Sequence, residues 1–250
     1  MIISVINHTN GKVSDEDLQK AIRAINRQIS YDFAPYWSLS ADLRLEGRSE
    51  KKPSEHTLAD MRGDAVLYVW DHVDVDDALG YHDKNDRGIP FGFVFLDLAS
   101  ELEEPWTVTL SHETLELIGD PETNLFAVGP HPKDRRHHVF HWYEMCDAVQ
   151  DERYPIDGIE VSNFLLPLYF TSSAERGGRN DFLGRTHNGK TLVSFGVNPG
   201  GYIGFYDPAK KRSGAFFARG DQKAERRLNI KKRAKGARRS VRYSRLVNHR

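Results

Sequence analysis

The apolar runs of the first 120 residues follow the order strand, helix, three strands, helix, and no other feature limits the fold as much. Residues 2–6 are a β-branched run suited to a strand. Asn10-Gly11 marks a turn, and Ser14 with Asp17 three residues on approximates a capping box. Leu18, Ala21, Ile22, Ile25 and Ile29 recur at helical spacing, and Pro35 is read as the stop. Leu43 and Leu45 alternate with Arg44 and Glu46 as in a half-buried strand; residues 47–60 read as loop. Residues 65–70 and 91–98 are the clearest strands, and the Asp- and Gly-rich stretch between them, through Gly88, reads as loop. Residues 106–118 suit a helix that begins near Pro105 and stops around Gly119. These spacings are too irregular for a doubly wound parallel sheet, and no internal repeat is present. Residues 120–200 are loop-rich, with short apolar stretches at 140–143, 161–170 and 191–197.

A chain of 250 residues, 39% hydrophobic and 28% charged, can bury a sizeable core. No run approaches the roughly eighteen apolar residues of a membrane span. The first ten residues are too short an apolar run, and too soon polar, for a signal peptide. One cysteine, Cys146, excludes an intrachain disulfide framework and a Cys-based zinc cluster, which fits a reducing, cytoplasmic setting. The net charge of −1 hides two unlike parts. Residues 210–250 hold 16 Lys and Arg against Asp221 and Glu225, giving +14, and residues 1–209 carry −15. An acidic body with a basic extension is the expectation.

The chemistry concentrates in Ser111-His112-Glu113-Thr114-Leu115-Glu116-Leu117-Ile118-Gly119-Asp120-Pro121. On a helix, His112 and Glu116 lie one turn apart and project from one face, the geometry that holds a metal between imidazole and carboxylate. Glu113 stands beside them as the candidate general base for a metal-activated water. The pattern is His-Glu-x-x-Glu, a variant of the zinc-protease His-Glu-x-x-His. Such residues also occur on ordinary exposed helices. Against that reading stand the apolar context and a second acidic group, Glu144-Met-Cys-Asp147, directly after the aromatic run His141-Trp-Tyr. Buried acids need a cation, an arginine or several hydrogen bonds.

The blocks Gly80-Tyr-His-Asp83, residues 90–95, 111–121, Glu144-Met-Cys-Asp147 and residues 161–164 resemble a family of bacterial zincin-like proteins. These combine a His-Glu-x-x-Glu-x-x-x-Asp-Pro helix with a downstream Glu-x-Cys-Asp. The likeness to plant Exordium-type proteins is more distant. The resemblance covers about residues 1–207 and implies an α+β zincin-like domain with a mixed sheet, strand 91–98 lining a cleft beside the active helix. Residues 208–250 then form a basic tail, disordered or partly helical. True zinc proteases present two helix histidines, a third ligand and an open position for water. Here Glu116 takes the second place and Glu144 is the candidate third ligand, with Asp120, Asp147 and His141 as reserves or orienting groups. The implied cofactor is a divalent cation, Zn first, with Mn or Ca chemically tolerable at so carboxylate-rich a site.

His82 is a candidate for polarising a substrate carbonyl. His131, His137 and His138 read as exposed loop residues, and residues 83–94 fail as an EF-hand loop. Cys146, flanked by Glu144 and Asp147, reads as a small buried side chain rather than a nucleophile. Tyr143 and Tyr169 are the candidates for stabilising an oxyanion. No Gly-x-Ser-x-Gly or Walker loop is present. In the tail, Lys231, Lys232, Arg233, Lys235, Arg238 and Arg239 are candidates for holding nucleic acid or another polyanion through phosphate contacts. Two functions follow as expectations. One is a zincin-like metalloprotein acting as a metallopeptidase on a peptide or protein substrate. The other is a non-catalytic, metal-stabilised binding protein whose basic tail recruits a polyanion.

Overall fold

The structure, a computed structural model, describes residues 1–54, 56–71, 79–171, 178–220, 222 and 224–226. In chain order its elements are β1 (Ile2–His8), α1 (Asp15–Arg27), α2 (Ala34–Trp37), β2 (Asp42–Glu46), β3 (Ala65–Trp70), β4 (Gly80–Lys84) and β5 (Pro90–Phe95). There follow α3 (Leu96–Glu101), α4 (Trp106–Gly119), β6 (Phe126–His131), β7 (Asp134–Trp142), β8 (Arg153–Ile156) and β9 (Ile159–Ser162). Last come β10 (Thr186–His187), β11 (Lys190–Thr191), β12 (Tyr202–Asp207) and β13 (Arg212–Phe217). Helices and mixed sheets make this an α+β chain. It divides into two compact units, Met1–Thr123 with Arg153–Ser162, and Asn124–Glu152 with Asn163–Arg250.

The first unit is built on a five-stranded sheet in the order β2-β1-β3-β5-β4. The first four strands are parallel, and β4 runs antiparallel at the edge. Every residue of the central strand β3 is buried, as its unbroken Ala-Val-Leu-Tyr-Val-Trp requires of a strand covered on both faces. One face packs Tyr68 and Trp70 against Phe91, Phe93 and Phe95, with half-buried Tyr81 alongside. The Ser14 hydroxyl accepts from the Asp17 amide at 3.0 Å and caps α1, whose buried stripe is Leu18, Ala21, Ile22, Ala24 and Ile25.

Three details differ from the sequence reading. Pro35 does not end the first helix. The chain winds on through a wider π-helical stretch, Gln28–Phe33, into α2, where Pro35 sits in the first turn and no amide is needed. The helix stops at Ser38, in left-handed conformation with φ 54°. The strand read over 91–98 ends at Phe95, and Leu96, Leu98 and Ala99 are instead the buried side of α3. A short apolar run fits either element, so periodicity alone cannot separate them. The stretch read as loop contains β4, paired with β5 from Gly80↔Val94 to Lys84↔Pro90.

The second unit carries a four-stranded sheet, β13-β12-β7-β6, with antiparallel pairing throughout. His131, His137 and His138, read as loop residues, belong to the hairpin of β6 and β7. The tail was read as starting at 208, but Arg212–Phe217 is the strand β13, held along its length by β12. The core of this unit gathers Ala148, Val149, Leu165, Tyr169, Leu192 and Ile203. A buried polar knot ties together segments distant in sequence. Glu152 accepts from Asn163 at 2.8 Å, from Asn198 at 2.6 Å and pairs with His187 at 2.8 Å. Asn163 also donates to Asp181 at 2.9 Å, and burial raises the Asp181 carboxyl above its ordinary range. Lys231, Lys232, Arg233, Lys235, Arg238 and Arg239 lie outside the described residues. Among the described residues, no helix is long and apolar enough to cross a membrane.

Candidate metal centre

Helix α4 is buried from Thr107 to Gly119, so its His-Glu-x-x-Glu is not the solvated face of an ordinary amphipathic helix. It packs against β4, β5 and β9. A buried hydrogen-bond chain fixes its register. The Ser111 hydroxyl donates to Gln28 Oε1 at 2.7 Å and accepts from the Ser162 amide at 3.1 Å, while Gln28 Nε2 donates to the Ser162 carbonyl at 2.8 Å. Thr107 Oγ1 donates to the Glu160 carbonyl at 2.7 Å. These contacts hold the N-terminal half of the helix against the β8–β9 hairpin.

Strand β4 delivers the fourth polar side chain. Gly80 and His82 share the face of β4 turned toward α4, as the two-residue period of a strand requires. A Cβ at Gly80 would lie 2.8 Å from Thr109 Cγ2 and 3.0 Å from Glu113 Cγ, so only glycine admits the helix this close. His82 stands opposite Gly92 in the pairing with β5 and is fully buried. Its Nδ1 lies 3.3 Å from Glu113 Oε2 and 3.7 Å from Glu116 Oε2. On the other oxygen of the same carboxylate, Glu116 Oε1 lies 3.3 Å from His112 Nε2. The Glu116 carboxylate therefore has an imidazole at each oxygen.

His82, Glu113 and Glu116 offer one donor atom each, all within 4.8 Å of one another, and this buried group can hold a metal ion. Two carboxylates out of water beside two imidazoles carry an excess of negative charge that a divalent cation would balance. The site thus includes three helix residues that local spacing identifies and one, His82, that it does not. His82 was read as a group that polarises substrate; here it sits among the donors. Its signals in the sequence were a lone histidine in a Gly- and Asp-containing stretch and its place in the Gly80-Tyr-His-Asp83 block.

Asp120 closes the helix, its amide donating to the Glu116 carbonyl at 2.8 Å, and does not join this donor group. Glu144, Cys146, Asp147 and His141 belong to the second unit. There Asp147 is buried at the start of a single 3₁₀ turn. Cys146 is buried, as read. His141 Nε2 donates to the Pro130 carbonyl at 2.9 Å, and the ring packs on Phe195 and Phe205. Burial holds its imidazole down to about 4, so it is a neutral core histidine. The Tyr169 hydroxyl, one of the two oxyanion candidates, donates to the Gly196 carbonyl at 2.7 Å inside the same core. Comparison with known protein families, with curated proteins and with solved structures finds no match for this chain.

Proposed function

We propose that the first unit is a zincin-like metalloprotein domain whose divalent cation is held by His82, Glu113 and Glu116. The observation that carries this reading is the clustering of these three buried donors between an edge strand and a buried helix. His112 would fix Glu116 from its second oxygen, as outer partners orient carboxylate ligands at metal sites. Mixed imidazole and carboxylate donors suit Zn or Mn better than Ca, which prefers all-oxygen shells. The single thiol of the chain, Cys146, fits the cytosol.

A second reading, metallopeptidase, is favoured by the His112–Glu116 contact of 3.3 Å across one helical turn. In it His112 and Glu116 hold the cation, and Glu113 stands beside it, paired with His82. A cation in such a site supplies Lewis acidity toward a carbonyl oxygen and acidifies water. Glu113 would accept the proton of the attacking water and pass it to the leaving amine, and His82 would orient the Glu113 carboxylate. The substrate in this reading is a peptide bond. The burial of His82, Glu113 and Glu116, each at most 5% exposed, favours the first reading.

Metal analysis of purified protein tests both. Absence of a stoichiometric divalent metal in the wild type refutes the centre altogether. Glu113→Gln separates the readings: loss of metal marks Glu113 as a ligand, whereas retained metal with abolished peptide hydrolysis marks it as the base.

A further inference from the structure

The tips of the β6–β7 and β12–β13 hairpins in the second unit enclose a groove of about 370 Å³, lined by His131, Lys133, Phe205, Lys210, Arg212 and Phe216. Its one carboxylate, Asp207, is buried and already engaged. Asp207 Oδ1 pairs with His137 Nε2 at 3.0 Å and accepts from the amides of Ala209 and Lys210, while Oδ2 lies 3.2 Å from Lys210 Nζ. Burial works against ionisation of this carboxyl, yet His137 and Lys210 prevail and hold it at about 2. Asp207 therefore remains an anion that spends its charge on His137 and Lys210. Lys133 and Arg212 are both exposed and form no ion pair with any described residue. Burial, and after it the charges of Lys210 and His137, hold the His131 imidazole below its usual range, as expected in a positive field.

The apolar floor is as specific as the rim. Phe205 lies edge-on to His131 with ring centroids 5.0 Å apart. Gly214 lets the Phe205 ring lie flat on β13, since a Cβ there would come within 2.9 Å of it. Arg135 and Arg136 extend the cationic character along β7, although Asp134 lies 3.8 Å from Arg136 Nε. The strand that forms one wall, β13, lies within the 210–250 segment of net charge +14.

We propose that this groove seats the phosphodiester backbone of a single-stranded nucleic acid, with Lys133 and Arg212 contacting successive phosphates. The shape favours a strand over a membrane surface, because the cations rim a concavity instead of standing on a flat apolar face. It favours a chain over one phosphate, because the free cations sit on two different hairpin tips. This inference is independent of the metal centre.

The test uses the full chain, so the basic C-terminal segment is present in every sample. Fluorescence anisotropy of a labelled single-stranded oligouridylate is followed across a salt series for wild type and for Lys133→Ala/Arg212→Ala. Each phosphate contact on a single strand contributes about 0.7 to the slope of log K against log salt, so the double variant should lose about 1.4 and bind at least about tenfold more weakly. Lys133→Arg/Arg212→Lys, which keeps the charges, should restore both quantities. Unchanged affinity and slope in the double variant, with an unchanged melting temperature, would overturn the proposal and assign binding to the C-terminal segment. Inorganic phosphate or uridine monophosphate competing as well as the oligomer, at equal phosphate concentration, would overturn the strand in favour of a small phosphate ligand. Equal, Lys133- and Arg212-dependent binding to phosphatidylserine vesicles would overturn it in favour of a membrane.

Discussion

His82 Nδ1 lies 3.3 Å from Glu113 Oε2, an edge-strand histidine against a helix carboxylate 31 residues later. Neither group reaches bulk water, so removing one leaves the other buried with a lost partner. His82→Ala should lower the bound metal from about one equivalent per chain to a small fraction, measured by elemental analysis after gel filtration. Full occupancy in a folded His82→Ala protein would remove His82 from the ligand set.

Gly80 lets β4 approach α4, and its replacement should be felt at the centre. In Gly80→Ala the new methyl meets Thr109 Cγ2 and the Phe93 carbonyl oxygen, each at 2.8 Å. Overpacking of this kind costs about 1–3 kcal/mol. A Thr109→Ser background should recover only part of the loss, because the Phe93 carbonyl cannot yield. Thermal melts of the four proteins check this, and a Gly80→Ala protein as stable as wild type would refute the close approach.

Protonation of His141 should oppose folding in a defined pH window. Its folded-state value of about 4 lies below the 6.5 of an ordinary histidine. Below pH 6.5 the unfolded chain takes up a proton that the folded chain refuses, so stability falls as the pH drops from 6.5 to 4 and levels off below. The loss is about 3 kcal/mol. Trp142 is the only tryptophan of the second unit and reports its unfolding. Urea titrations of wild type and the non-titrating His141→Gln should therefore diverge in their pH dependence. Parallel curves between pH 4 and 7 would contradict a buried neutral imidazole.

Asn163 separates two buried acids by donating to both Glu152 and Asp181. Asn163→Leu should destabilise the second unit by about 3 kcal/mol at neutral pH. The Asp181 carboxyl, already raised by burial, would rise further without this donor. A raised carboxyl makes the folded state the better proton binder, so the deficit should shrink on acidification. A deficit that stays constant with pH would show that the carboxylates do not feel the loss.

The parts of the fold legible in the sequence are those written in local periodicity. Helix α4 and the buried strand β3 follow from spacing and apolar content, and the α1 cap from Ser14 and Asp17. Strand β4 was not legible, because Gly80, His82, Asp83 and Lys84 have low strand propensity and are paired by their partner β5. The same divide runs through the site. His112, Glu113 and Glu116 meet because three- and four-residue separations bring helix side chains together. His82 joins them only through tertiary pairing, which no local pattern encodes. In the second unit, Glu152, Asn163, Asp181, His187 and Asn198 are spread over nearly fifty residues, so their knot left no trace in the sequence.

The insertion of Arg153–Ser162 into the first unit sets an order of assembly. Synthesis of residues 1–123 leaves α4 without the Glu160 carbonyl for Thr107 and without Ser162 for Gln28 and Ser111. The helix bearing His112, Glu113 and Glu116 can therefore dock fully only after residue 162 has emerged from the ribosome. By then residues 124–152 of the other unit have already been made. Gene fragments cut at 123 would express an unfinished domain, and a faithful excision of the first unit must carry the hairpin across on a linker.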